Sequence, residues 1–330
     1  MRKTVKYSFL FALLWLAVKT SAASPDSVRT YYLLKNKAEI QILDSSFTEA
    51  LASYNKAFCY KYPNVLDVMN AFTLSVLIQD SACAKRYFNN LAYHGTPQKA
   101  LALYPQSDSI KNSPFYQWLS ADYDSAYAAG QKNVPADYIR VLDSLSDADQ
   151  AVRVAHTPTQ EQLLKILVTD STNLLFLKAY IERQGFPTYK RLGVFEKTYE
   201  GWPHGMSSLW FMLWHTRHLY KTLNEILLDA VKRGELDPNE YALIMDVQAQ
   251  QSIYYQLMPR KIDRVKRTSA FLPVSNVKQI DKKRASIYLD SLANFRRKLL
   301  YQNRPDKIFR FLPYFVMSSN FAIIDIRTWK

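Results

Sequence analysis

Glycine is scarce in this chain, with seven in 330 residues, and none falls in a G-x-G-x-x-G or G-x-x-x-x-G-K-[ST] pattern. A backbone loop that cradles phosphates needs those glycines, so nucleotide chemistry finds no support. Also missing are H-E-x-x-H and G-x-S-x-G, which removes the common zinc-peptidase and serine-hydrolase signatures. There are only two cysteines, Cys59 and Cys83. A helix expected between them, over residues 64 to 79, is roughly 24 Å long at 1.5 Å per residue. A disulfide needs Cα atoms within about 7 Å, so two separate thiols are expected. The longest early apolar run, residues 7 to 18, is short of the about 20 residues that span a bilayer.

What is present points outside the cytoplasm. Arg2, Lys3 and Lys6 precede that apolar run, and Ser21, Ala22 and Ala23 follow it, the pattern of a secretory signal peptide cleaved after Ala22 or Ala23. The expected mature protein is secreted or periplasmic, with no membrane span. At 48% hydrophobic and 14% aromatic residues it can bury a large core and hold two domains. The net charge of +14 is concentrated late: residues 259 to 330 hold 17 Lys or Arg against 5 Asp. That section reads as a solvated face or a contact for an anionic surface. An exported protein has no ordinary genomic partner, so nucleic acid is not expected.

The hydrophobic period is helical. In GMSSLWFMLWHTRHLYKTLNEILLDAVKRGELDP, residues 205 to 238, Leu209, Met212, Leu223, Leu227 and Ala230 form one stripe. Lys232 and Arg233 suit the last turn and Gly234 the left-handed stop. Asp237 and Pro238 restart the chain as a further helix. Earlier, helices are expected from about residue 26 to 43, over EALASYNKAF, over 64 to 79, and up to His94. The two turn aspartates, Asp44 and Asp80, are 36 residues apart, a period that resembles tetratricopeptide-type repeats. An aromatic helix over 113 to 129 can cover them, and GQKNVP at 130 to 135 reads as a joint. Beyond it come a short helix from Asp137, a second one capped by Ser146, and another capped by Asp170 or Ser171 that GFP at Gly185 ends. A basic amphipathic helix covers 277 to 300, and the last stretch is β-branched enough to be extended. The expectation is therefore an all-α fold: tetratricopeptide-like hairpins over residues 24 to 134, packed on a helical domain over 135 to 301. A basic and aromatic extension follows over 302 to 330.

Several segments occur in an order that resembles an uncharacterised bacterial helical domain family. They are DQAVR from Asp149, the GFP at Gly185, Trp210 with His215, YALIMD from Tyr241, and IDKKRASIYLDSL from Ile280. The family pattern runs D-Q-x-x-R, G-x-P, W-x-x-x-Q-H-A-D, Y-A-x-L-x-D-R and Q-x-Y-G-T-Q, and the resemblance covers about residues 140 to 300. It implies a helical fold and no particular activity. The chain departs from it at Arg217, where the pattern has an acid, at Val247, where it has arginine, and at SIYYQL, residues 252 to 257. A site built on those groups has lost an acid, a guanidinium and a glycine turn, which favours binding over catalysis.

The remaining chemistry rests on few residues. Asp149 or Asp246 with His215 can serve as a general acid–base pair if the fold joins them, and Arg153 can assist. Asp149 and Arg153 also form an i,i+4 pair, worth about 0.2 to 0.5 kcal/mol to a helix without any substrate. His204, His215, His218, Glu225 and Asp246 are the candidates for metal or acid–base work. Their spacing compels no metal site, and neither metal nor cofactor is expected. Trp202, Trp210 and Trp214 read as core packing or, as the alternative, as an aromatic platform in a sugar or peptide groove, with Trp210, Trp214 and His218 the binding candidates. The leading expectation is a binding or scaffold protein for a protein or a cell-envelope polymer. A hydrolase with a His and carboxylate site is the alternative.

Overall fold

The structure, a computed structural model, describes residues 24–101, 113–153, 157–194, 208–248, 253–256, 260–263, 268–271, 273–302, 304, 307–312 and 322–323. The signal-like segment 1–23 lies outside these residues, as does the connection that carries Trp202 and His204. The fold is all-α in class, with a small three-stranded sheet added.

Helix α1 (Pro25–Leu43) opens on Ser24, whose hydroxyl accepts the Ser27 N–H at 3.2 Å, with Pro25 where a missing N–H costs nothing. Helices α2 (Phe47–Ala57), α3 (Val65–Leu77) and α4 (Ser81–Tyr93) follow, and Asp80 caps α4 by accepting the Cys83 N–H at 3.0 Å. Ser45 (φ 61°) and Gln79 (φ 60°) take the left-handed conformation between the helices of each hairpin. Helix α1 packs on α2, α2 on α3 and α3 on α4, so the hairpins form one layer. Both cysteines are free thiols.

After the single turn α5 (Gln98–Leu101), the expected aromatic helix is divided into α6 (Pro114–Ser120) and α7 (Tyr123–Gln131). The cause is local. The Ser120 hydroxyl bonds back to the Tyr116 carbonyl at 2.9 Å, and Lys85 Nζ takes the Trp118 and Leu119 carbonyls at 2.7 and 3.0 Å. The end of α6 is thereby satisfied from outside the helix. Leu119 and Tyr123 still cover the repeat layer, joining a core with Tyr54, Met69, Leu74, Phe88 and Leu91. Gly130 belongs to α7 rather than to the joint, and it faces α4 at a backbone crossing.

Two expected starts are wrong. Helix α8 (Ala136–Ala151) runs through Ser146, which is fully buried in its middle rather than at a cap. Helix α9 (Gln160–Gln184) starts ten residues before Asp170, at a capping box in which the Thr159 hydroxyl accepts the Gln162 N–H and Gln162 Oε1 accepts the Thr159 N–H. The signal was legible as T-x-x-Q just before the apolar residues. Gly185 (φ 84°) ends α9, as expected, and α10 (Tyr189–Leu192) is one turn.

The long helix expected over 205 to 238 is also interrupted. Helix α11 (Ser208–His215) passes through a 3-10 turn, Thr216–Leu219, into α12 (Tyr220–Lys232). The Thr216 hydroxyl bonds back to the Met212 carbonyl at 2.6 Å, which competes with a regular α ladder there. The stripe survives the break: Leu209, Met212, Leu213, Leu223, Leu227 and Ala230 are all buried in the second core. Gly234 (φ 72°) stops α12, and Asp237 caps α13 (Pro238–Gln248) by accepting the Asn239 N–H at 2.8 Å.

Strands β1 (Arg260–Asp263) and β2 (Thr268–Phe271) pair antiparallel. The basic region then forms two helices rather than one, α14 (Val277–Ser286) and α15 (Leu292–Gln302). Strand β3 (Ala322–Ile323) pairs parallel with β2, so that part of the last stretch is extended. Residues 307–312 return to the first layer, where Phe309 and Phe311 are each 1% exposed in its core. Asn70 clasps the Arg310 backbone from both sides, its Oδ1 accepting the N–H at 3.1 Å and its Nδ2 donating to the carbonyl at 2.6 Å. Among the described residues, no helix is long and apolar enough to cross a membrane.

Candidate functional site

Helices α8, α9 and α11 bring four charged or titratable side chains to one place. Asp149, near the end of α8, is 1% exposed, and its Oδ2 lies 2.7 Å from His215 Nδ1, at the end of α11. Gln150 Nε2 donates to the same oxygen at 2.6 Å. Arg153 Nη1 meets Asp149 Oδ1 at 2.8 Å, and Arg153 Nη2 meets Asp170 Oδ1 at 2.5 Å. Asp170 is 2% exposed, whereas the side chains of Arg153 and His215 are 18% and 20% exposed. The acids are thus inside and the bases reach outward. A buried carboxylate held by a guanidinium, an amide and an imidazole has its lone pairs satisfied, and it fixes the orientation of the imidazole.

Asp149, Arg153 and His215 are therefore joined as the sequence suggested they could be, and Asp170 is an unforeseen fourth member. Asp246 is not part of the cluster. Its Oδ1 accepts the Ile253 and Tyr254 N–H groups, each at 2.7 Å, and its Oδ2 accepts the Gln256 N–H at 2.5 Å. It clasps the turn after α13. Burial pushes its carboxyl above the usual range, against the opposing pull of those three N–H groups and Arg284. Glu225 is exposed on α12. The side chains of Trp210, Trp214 and His218 lie outside the described residues. Among the described residues no group of three or more His, Cys, Asp or Glu is placed to hold a metal ion.

A second polar assembly was not foreseen at all. Lys35 on α1, 3% exposed, meets Asp237 Oδ2 at 3.1 Å, Asp67 Oδ1 at 3.4 Å and Glu39 Oε1 at 3.9 Å. Glu39 also pairs with Lys298 on α15. Lys298 Nζ lies 2.8 Å from Asp290 Oδ2, and Arg284 Nη2 lies 3.3 Å from Asp290 Oδ1. The chain of charges crosses from the repeat layer to the last helices with each side chain at most 9% exposed. An i,i+4 Lys and Glu spacing such as Lys35 and Glu39 is ordinarily a solvated pair on a helix face, so no local signal marks their burial.

Beside this network a cavity of about 760 Å3 opens at the seam between the two layers, lined by residues 60–64 of the first and by residues 184–186, 188–191 and 233–235 of the second. Lys61 forms part of its wall. Its Nζ donates to the Tyr62 carbonyl at 2.9 Å and to Asn64 Oδ1 at 3.2 Å, and lies 4.4 Å from the centre of the Tyr31 ring. Asn64 passes the contact on by donating to Asp237 Oδ2 at 2.9 Å. Burial pushes the Lys61 ammonium down to about 8, against the opposing pull of Asp67 and Asp237. Between about pH 8 and the ordinary value of 10.5 the unfolded chain therefore binds more protons than the folded one, and stability from this group rises with pH. Its slope is at most about 1.4 kcal/mol per pH unit. Lys61→Met is expected to remove that rise in urea unfolding measured at about pH 7.5 and 9.5. Equal changes with pH in variant and parent would contradict it.

No protein-family model, no curated protein and no solved structure matches this chain. The class that the fold defines is a layered helical protein with a buried ionic seam.

Proposed function

We propose that this chain is an exported binding protein whose contact surface is the first half of α9, with another protein as partner. The observation that carries this reading is apolar side chains left in water. Leu163, Leu164, Leu167 and Val168 are between 47% and 66% exposed, and Leu175 and Phe176 further along α9 are 59% and 49% exposed. At about 100° per residue, Leu163 and Leu167 continue the stripe that is buried at Leu174, Leu177 and Ile181. Leu164, Val168 and Leu175 lie on roughly the opposite side. The first turns of α9 thus leave apolar groups in water on two sides, with the Glu161–Lys165 pair on the remaining face. Covering what remains exposed contributes about 1 kcal/mol for each side chain. A cluster of this kind marks a protein contact more readily than a sugar contact, because aliphatic groups offer no hydrogen bonds to a polymer rich in hydroxyls. The signal-like first 23 residues support export.

A photo-crosslinking residue at position 168, in the producing cell, is expected to trap one defined protein. Leu164→Asp should abolish that adduct while stability changes by no more than about 0.5 kcal/mol, since the side chain is exposed. An adduct that persists in Leu164→Asp, or none at position 168, would remove the reading. One observation favours a second reading, a hydrolase: the 2.7 Å contact between Asp149 and His215. A buried carboxylate at Nδ1 is how an imidazole is aligned for general base work. His215→Gln separates the two, because it leaves the crosslink intact and removes any hydrolytic activity.

A further inference from the structure

The seam cavity carries more positive charge than its own acids neutralise. Lys61, Lys190, Arg191 and Arg233 line it, and Glu235 is the carboxylate among its lining residues. Glu235 is already engaged: its Oε2 takes Arg233 Nη2 at 2.7 Å and Nε at 2.9 Å, and Asp229 pairs with Arg233 as well. The three other cations meet neutral groups. Lys61 has the Tyr62 carbonyl, Asn64 and the Tyr31 ring; Arg191 has the Gln184 carbonyl and the Tyr138 ring at 4.8 Å; Lys190 lies 5.8 Å from the Tyr62 ring centre. Like charges along a concave wall focus a positive potential into the space between them. Lys61 is partly committed inward, to Asp237 through Asn64, so the uncommitted charge sits at Lys190 and Arg191.

We propose that the seam cavity between the repeat layer and the second helical layer binds an organic ligand bearing carboxylate or phosphate groups, with Lys190 and Arg191 as its anion contacts and Lys61 at the wall. The cavity, at about 760 Å3, suits a ligand of tens of atoms better than a lone inorganic ion. Arg191 presents a planar fork that matches either kind of oxyanion, and Lys190 adds a mobile point charge. Tyr62 and Phe186 give apolar wall against which the rest of such a ligand can lie. This site is separate from the exposed face of α9 and does not depend on it.

Titration calorimetry of the full chain with citrate and, separately, inorganic triphosphate tests the proposal. Saturable one-to-one binding of at least one probe is expected, and which one binds distinguishes carboxylate from phosphate. Lys190→Gln, an exposed change that leaves the fold alone, and Arg191→Gln should each weaken binding by about tenfold, the equivalent of one charge-assisted contact. Raised salt should weaken it further. Absence of saturable binding by either probe overturns the proposal. So does binding that Lys190→Gln leaves unchanged.

Discussion

Lys35→Met is expected to cost about 3 to 5 kcal/mol of stability at neutral pH, because it strands buried carboxylates without their shared cation. Methionine keeps the length and the apolar stem, so the loss reports charge and not volume. Asp67 is 1%, Glu39 2% and Asp237 9% exposed, and Lys35 is the group that all three face. Burial alone would raise the Asp237 carboxyl, but Lys35 and the Asn239 hydrogen bonds hold it below the usual range. In the parent, Asp237 therefore contributes stability above its unfolded value that is lost as pH falls through the lower folded one. In the variant Asp237 loses that cation while still buried, and acidification relieves the stranded charge. The gap between parent and variant should narrow as pH falls from about 7 to about 4.5. Urea unfolding at both values checks this, and a loss below about 1 kcal/mol at neutral pH would show that the pairs contribute little.

Gly130→Ala is expected to destabilise by about 3 kcal/mol or more, although the residue is helical and alanine is ordinarily the better helix former by about 1 kcal/mol. The reason is the crossing of α7 over α4. A Cβ at position 130 would lie 1.6 Å from the Tyr93 carbonyl oxygen and 2.6 Å from its carbonyl carbon. Backbone, unlike the end of a side chain, cannot step aside, so the two helices would have to separate and take Tyr123 and Phe88 out of contact. The sign of the change is the test: thermal unfolding of Gly130→Ala at or above the parent's midpoint would mean that the helices do not cross this closely.

Both predictions come from contacts that no local pattern encodes. Gly130 followed by a polar stretch reads as a joint, and only the approach of Tyr93 turns it into a packing requirement. The i,i+4 spacing of Lys35 and Glu39 is that of an ordinary solvated pair, and only the arrival of Lys298 and Asp237 from more than 200 residues away makes them interior. The candidate site divides in the same way. Asp149 and Arg153 were legible as an i,i+4 pair, since helical period alone sets that geometry. His215 could be offered as a partner but not assigned to Asp149 over Asp246, because 66 residues separate it from the acid it meets. Asp170 went to the wrong role, as a cap, because an aspartate before an apolar run has that look whether or not a helix is already under way.

By itself the sequence determined the helical class, the two hairpins of the first layer, the Asp237 and Gly234 boundaries and the stripe that forms the second core. Each is set within a turn or two by hydrophobic period, caps and left-handed stops, and these act over a few residues. The tertiary structure decided the rest: the break at Ala121, where Lys85 takes the carbonyls at the helix end, the burial of the Lys35 to Arg284 charge chain, the return of Phe309 and Phe311 to the first core, and the basic cavity at the seam. Those depend on which surfaces meet across hundreds of residues, and the burial that follows changes an ordinary polar side chain into a costly one that must find its partner.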